Sequence, residues 1–157
     1  MQSDHQVRVA AFLSGIGHNL PEKPQVGDRE KLRTWGQLLL EEVFEWIEAA
    51  GLSVDHTVED RPLLVNYKSL QVVIEPELQP DLVKMADANA DISVVNTGAM
   101  LLNGISDTNI LEEVDQNNLL KVSTGKMDTV SGKFIKARNH PKPNFAACLA
   151  AQSGPTE

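Results

Sequence analysis

A chain of 157 residues has the length of one domain, here 1–157, able to bury a substantial core. Its 22 acidic and 14 basic residues leave a net charge of −8, which denies it the basic footprint of a nucleic-acid binder. A single Cys148 excludes an internal disulfide framework, no stretch reaches the roughly 18 apolar residues of a membrane span, and no early apolar run resembles a signal peptide, which predicts a soluble cytoplasmic protein without membrane partners, in a host's cytoplasm if its source is viral.

The first predicted element is a helix over residues 3–14, with Val9 and Phe12 as inner residues, Ser3 or Asp4 as its cap and Gly15 at its end. A loop marked by Gly17, Pro21 and Pro24 follows to Val26. The next helix runs from Asp28 to Ala50 and stops at Gly51. Between Leu52 and Pro80 the alternating stretch LLVNYKSLQVVIEPE predicts either a short β-hairpin or an irregular arm. A third helix spans 81–103 before Gly104, and a fourth spans 107–122 with Asp107 as its cap. Gly125, Gly132 and three later prolines predict loops, with at most a short strand at KFIKA and a frayed final AAQSGPTE. There is no internal repeat. The expected class is all-α, a helical bundle with a small arm.

Residues stepping alternately three and four apart share one stripe of an α-helix. In the second helix that stripe is Trp35, Leu38, Glu42, Glu45 and Ala49, with Glu41 beside it; in the third it is Lys84, Asp87, Asp91, Val94 and Gly98. In the fourth it is Leu111, Val114, Asn118 and Lys121. Each seam turns from apolar to polar partway along. Five carboxylates, Glu41, Glu42, Glu45, Asp87 and Asp91, are thus expected to face one another where the pattern calls for core residues.

Several anions held close together are disfavoured by desolvation and by mutual repulsion. A hard divalent cation removes both objections, and magnesium takes oxygen ligands, keeps some waters and is often completed by phosphate oxygens. The absence of Cys and His from this set argues against zinc. The competing reading is a pair of solvated amphipathic faces.

Glu41-Glu42-Val43-Phe44-Glu45 resembles the EExxE motif of the MazG-like, all-α nucleoside triphosphate pyrophosphohydrolases. The stretch from Pro80-Asp81-Leu82 through ADANADISVVNTGAMLLNGI looks like the second motif of the phosphoribosyl-ATP-pyrophosphohydrolase-like branch, common in phages and bacteria. EEVDQNNLLK followed by TGKMDTVSGKFIKARNHPKPNF is similar to that branch's tail. The likeness runs from about Val7 to about Phe145, with a core over about 3–122 and a phosphate-facing tail over 123–145.

The resemblance implies that Glu42 and Glu45 are metal ligands, with Glu41 next to the metal or positioning the attacking water. Asp91 matches the last residue of the family's ExxD element. The glutamate expected three residues earlier is Ala88 here, so Asp87 becomes its substitute, since three and four residues return to one face. Lys84 matches a lysine used on substrate phosphates, and Asn118 and Lys121 match the NxxK pair. Asp115 is a further departure, standing where the branch usually has His.

Cleavage between the α- and β-phosphates needs in-line attack by water and neutralised charge on both entering and leaving oxygens. Magnesium, with manganese able to substitute, would supply that neutralisation, Glu41 would accept the proton, and Lys84, Lys121 and Lys126 or Lys133 would face the β- and γ-phosphates. Lys126 and Lys133 are equally readable as solvated loop charges. The expected substrate is a (deoxy)nucleoside triphosphate, with slight weight on a purine such as dGTP. Phe12, Trp35, Phe44 and Trp46 are candidates for stacking on its base, and His18 and Asn19 for bonding its edge, each with a packing or surface alternative. The alternatives are a phosphoribosyl-ATP-type hydrolase and a non-catalytic helical module. Apolar residues around the third helix, among them Ala86, Ala90, Val95, Ala99, Leu101 and Leu102, suggest a partner subunit, and the resemblance implies a homodimer or homotetramer. A monomer whose first helix covers that surface is the alternative.

Overall fold

The computed structural model describes residues 2–56, 70–129 and 134–154. Among them the chain forms helices α1 (Asp4–Gly15), α2 (Arg29–Ala49), α3 (Leu82–Leu101), α4 (Thr108–Thr124) and α5 (Phe145–Ser153). Strands β1 (Leu52–His56) and β2 (Leu70–Ile74) pair antiparallel with Leu52 opposite Ile74. The short strands β3 (Lys126–Met127) and β4 (Phe134–Ile135) form a second antiparallel pair. The fold is mostly α. The arm expected after Leu52 is an antiparallel strand pair; the LLVNYKS portion of that stretch falls outside the described residues. The strand expected within KFIKA is β4.

Contacts divide the chain into two compact units, Asp28–Asn96 and Met1–Gly27 with Thr97–Glu157. In the first unit Asp28 starts α2 by accepting from the backbone N–H of Glu30 and Lys31 at 3.0 and 3.2 Å. Trp35 and Ala49 are the buried residues of α2. The helix ends at Gly51, whose φ of +72° is costly for any residue with a Cβ and whose carbonyl accepts from Glu75. The Asp81 amide donates to the Ala49 carbonyl at 2.7 Å, and its carboxylate accepts from Val83 and Lys84, so one residue caps α3 and ties it to the end of α2.

The second unit is held by a buried polar junction. Gln6, on the inward stripe of α1 with Val9 and Leu13, is fully enclosed. Its amide donates to the Ile105 carbonyl at 2.8 Å and accepts from the Asp107 amide at 3.0 Å. Ser3 caps α1 through its hydroxyl oxygen. Asp107 stands at the start of α4 as expected, yet its carboxylate makes no capping bond there and instead accepts from the Ser3 amide and hydroxyl. Phe12, expected inside, is 56% exposed. Gln6, Val9 and Leu13 already fill the inward stripe, and Phe12 lies beside it.

Helix α5 corrects the expectation of loops and a frayed end. Its run FAACLAAQS is rich in strong helix formers, Asn144 caps it by accepting from Ala147, and Gln152 exchanges two bonds with the backbone of Ser106.

Gly104 closes the turn between α3 and α4 at φ +66°, and a Cβ there would lie 2.2 Å from the Lys23 carbonyl oxygen. Backbone must therefore move in a Gly104→Ala variant. Strain and clash together should cost about 2 kcal/mol or more, read as a lower urea midpoint. An unchanged midpoint would show that this turn is not held as described.

Candidate active site

The acidic residues of α2 sit where its inward stripe leaves the core. Trp35 and Ala49 are buried, Leu38 and Glu42 are half-buried, and Glu41, Glu45 and Glu48 are exposed. In α3 the inward face is turned by one residue from the expected seam. It runs Met85, Ala88, Ile92 and Val95, leaving Asp87 and Asp91 exposed beside it. Ala88, only 5% exposed, occupies the position where the motif would have a glutamate. Apolar side chains take the inside, and the acids line its rim.

Glu42 shows that these acids share one region. Partial burial first, and then the charges of Glu45, Asp91, Glu41 and Asp87, hold its carboxyl above the ordinary carboxylate range. All four other predicted acids therefore act on this one group. Glu41 accepts a bond from the Gln37 amide at 3.0 Å, while Glu42, Glu45, Asp87 and Asp91 have no cation or hydrogen-bond donor as partner among the described residues.

The donor set is all oxygen, which suits magnesium or manganese rather than zinc. Among the described residues, no three acidic, histidine or cysteine side chains stand close enough to hold an ion by themselves. In kind, though not as a closed ligand set, these donors suit a hard cation that takes the rest of its shell from water and phosphate oxygens, the ordinary manner of magnesium.

A cleft of about 400 Å³ borders this cluster through Glu45 and Asp87. Lys84 lines it as the one cation among its described lining residues, which also include Glu48, Gln79 and Asp81. Buried Ala49 and Ala88 and half-exposed Leu78 supply its apolar surface. The cleft exists because Gly51 lets the 75–81 turn fold back on the end of α2; a Cβ on Gly51 would lie 3.1 Å from both the Leu78 carbonyl oxygen and the Pro80 nitrogen. Glu48, Leu78 and Gln79 were not singled out by spacing. Glu48 does continue the row Glu41, Glu45, Glu48, which is the signal that could have found it.

The predicted residues of α4 and the tail belong to the other unit. On α4 the Lys121 ammonium donates to the Asn118 side-chain carbonyl, with Asn118 exposed. Asn117, one residue earlier, is the buried one, donating to the Pro141 carbonyl and meeting the His140 ring. Lys126 is exposed on β3, and Lys133 falls outside the described residues. Of the aromatic candidates Trp35 is core, Trp46 has a buried indole N–H without a partner among the described residues, and Phe12 and Phe44 are exposed. No helix among the described residues is long and apolar enough to cross a membrane.

A family model described as phosphoribosyl-ATP pyrophosphohydrolase matches residues 9–118, a span that includes every acid of the cluster, Lys84 and Asn118. No curated protein matches the chain.

Proposed function

The chain belongs to the phosphoribosyl-ATP pyrophosphohydrolase family and is a hydrolase of nucleotide pyrophosphate bonds, and from that premise we propose that it splits a (deoxy)nucleoside triphosphate between its α- and β-phosphates. The products are the monophosphate and pyrophosphate, magnesium is the cofactor with manganese able to replace it, and a purine deoxynucleotide such as dGTP is slightly preferred. The observation that carries this reading is the convergence of four acidic neighbours on Glu42 at the edge of a nucleotide-sized cleft. Family membership removes the non-catalytic module from contention.

Glu42, Glu45, Asp87 and Asp91 would hold the cation by drawing in around it together with water and phosphate oxygens, since no three of them stand close enough by themselves, and when bound it supplies Lewis-acid charge neutralisation and lowers the pKa of water. Glu41 accepts the proton of the attacking water, given a reach of about 2.6–3.2 Å. Water oxygen bonds to phosphorus as the bridging bond of the α–β anhydride breaks, and pyrophosphate leaves. Lys84 offers a charge to the β- and γ-phosphates; the other candidates for phosphate contact, Asn118, Lys121, Lys126 and Lys133, belong to the other unit. The runner-up substrate is phosphoribosyl-ATP, favoured by the description of the matching family. A panel of all dNTPs, NTPs and phosphoribosyl-ATP with magnesium should release monophosphate and pyrophosphate from a triphosphate. Turnover of phosphoribosyl-ATP alone would overturn the preferred substrate.

A second copy of this chain is the proposed partner, as a homodimer or homotetramer. Leu82 and Val83 are each 80% exposed, and Leu119 and Val122 each 71%, more apolar exposure than isolated helices of a soluble monomer usually carry. Sedimentation equilibrium should give a mass at least twice that of the chain. A monomer at micromolar concentration would refute this.

A further inference from the structure

The cleft beside the carboxylates carries more acid than phosphate binding can use. Among the described residues Glu45, Glu48, Asp81 and Asp87 line it against a single cation, Lys84, so an uncompensated phosphate is repelled by most of this lining. A neutral nucleoside is not. Ala49, Leu78 and Ala88 offer apolar surface to the face of a base, and the volume of about 400 Å³ is in the range that small-molecule pockets occupy.

Two lining side chains have polar capacity to spare. The Asp81 carboxylate is engaged by the Val83 and Lys84 amides. Glu48 and Gln79 make no side-chain hydrogen bond among the described residues, and Glu48 is not among the charges that act on Glu42. Both stand in the cleft but outside the proposed metal set.

We propose that Glu48 and Gln79 read the base, the Glu48 carboxylate accepting from two adjacent N–H donors and the Gln79 amide meeting a neighbouring carbonyl. The proposal rests on the reading of this site as a nucleoside triphosphate hydrolase. An ionised carboxylate only accepts hydrogen bonds. Guanine presents two adjacent donors, N1–H and the N2 amino group, beside the O6 acceptor. Adenine and cytosine place a ring acceptor next to their amino group, which a carboxylate repels, and thymine holds its single N–H between two carbonyls. Phosphoribosyl-ATP has its N1 substituted and offers no such pair. The cleft therefore selects guanine.

The test compares kcat/KM for dGTP, dITP and dATP with magnesium in the wild-type protein, Glu48→Gln and Gln79→Ala. dITP lacks only the N2 amino group. Wild type should favour dGTP over dITP and over dATP by about tenfold or more, the discrimination expected of a bidentate contact. Glu48→Gln should collapse the dGTP-to-dITP ratio toward one, and Gln79→Ala should lower the dGTP-to-dATP ratio. Ratios within one preparation are independent of how much of a variant is folded. A wild type that hydrolyses triphosphates without distinguishing dGTP from dITP, or a Glu48→Gln variant that keeps the wild-type ratio, overturns the base assignment alone. A wild type inactive on every triphosphate overturns the hydrolase reading beneath it.

Discussion

Glu42→Gln is expected to abolish turnover while leaving the metal-free protein as stable as the wild type, or more so, at neutral pH. The carboxyl of Glu42 is held above its ordinary value by partial burial and then by Glu45, Asp91, Glu41 and Asp87, so the fold prefers its protonated form. A group whose pKa is raised on folding binds more protons in the native state, and stability is lost as pH rises from the ordinary value through the raised one. Above that window the wild type carries the full penalty of an ionised Glu42. A glutamine mimics the protonated group and avoids it. The gain in thermal midpoint should be present at pH 7 in a chelator and should shrink as pH falls through the carboxylate range. Turnover should fall by at least about a hundredfold, as when a group that stabilises transition-state charge is removed. Glu45→Gln and Asp91→Asn should lose comparable activity with the fold intact. Near-wild-type turnover in all three variants would refute the metal assignment.

The acidic half of this arrangement was legible because it is local. EExxE and the pair Asp87 and Asp91 lie on helices whose ends are marked by Asp28, Gly51 and Gly104, and periodicity alone puts them on related faces. Their depth was not legible. Whether Asp87 or Ala88 turns inward depends on a rotation of α3 that the Asp81 bond to Ala49 sets, and spacing cannot distinguish neighbours on one stripe. Helix α5 escaped notice because the prolines and glycines before it dominate composition. Its anchors, Gln152 to Ser106 and Asn109 to Cys148, are pairings between distant positions. The cleft residues were hidden for the same reason, since Gln79 meets the end of α2 only once the chain has turned at Gly51.

Gln6→Leu is expected to be among the most destabilising substitutions in the chain, although no pattern in the sequence marks that position. The replacement keeps an apolar body of similar size, so it opens little cavity. It removes a fully buried side-chain amide, leaving the Ile105 carbonyl and the Asp107 backbone N–H without the bonds they make at 2.8 and 3.0 Å. Each unsatisfied buried backbone group costs about 1–3 kcal/mol, so urea unfolding should show a loss of about 2–6 kcal/mol, a large share of the stability of a typical domain. Gln6→Glu separates lost hydrogen bonds from altered packing. Its carboxyl would have to be ionised in an enclosed site at pH 7, and burial raises the pKa of such a group. Protonated, it can donate to Ile105 and accept from Asp107 as the amide does. The stability difference between Gln6→Glu and the wild type should therefore narrow as pH falls toward 4, whereas that of Gln6→Leu should not. A Gln6→Leu loss below about 0.5 kcal/mol, the range of an ordinary surface substitution, would mean that α1 is not joined to the start of α4 through this side chain.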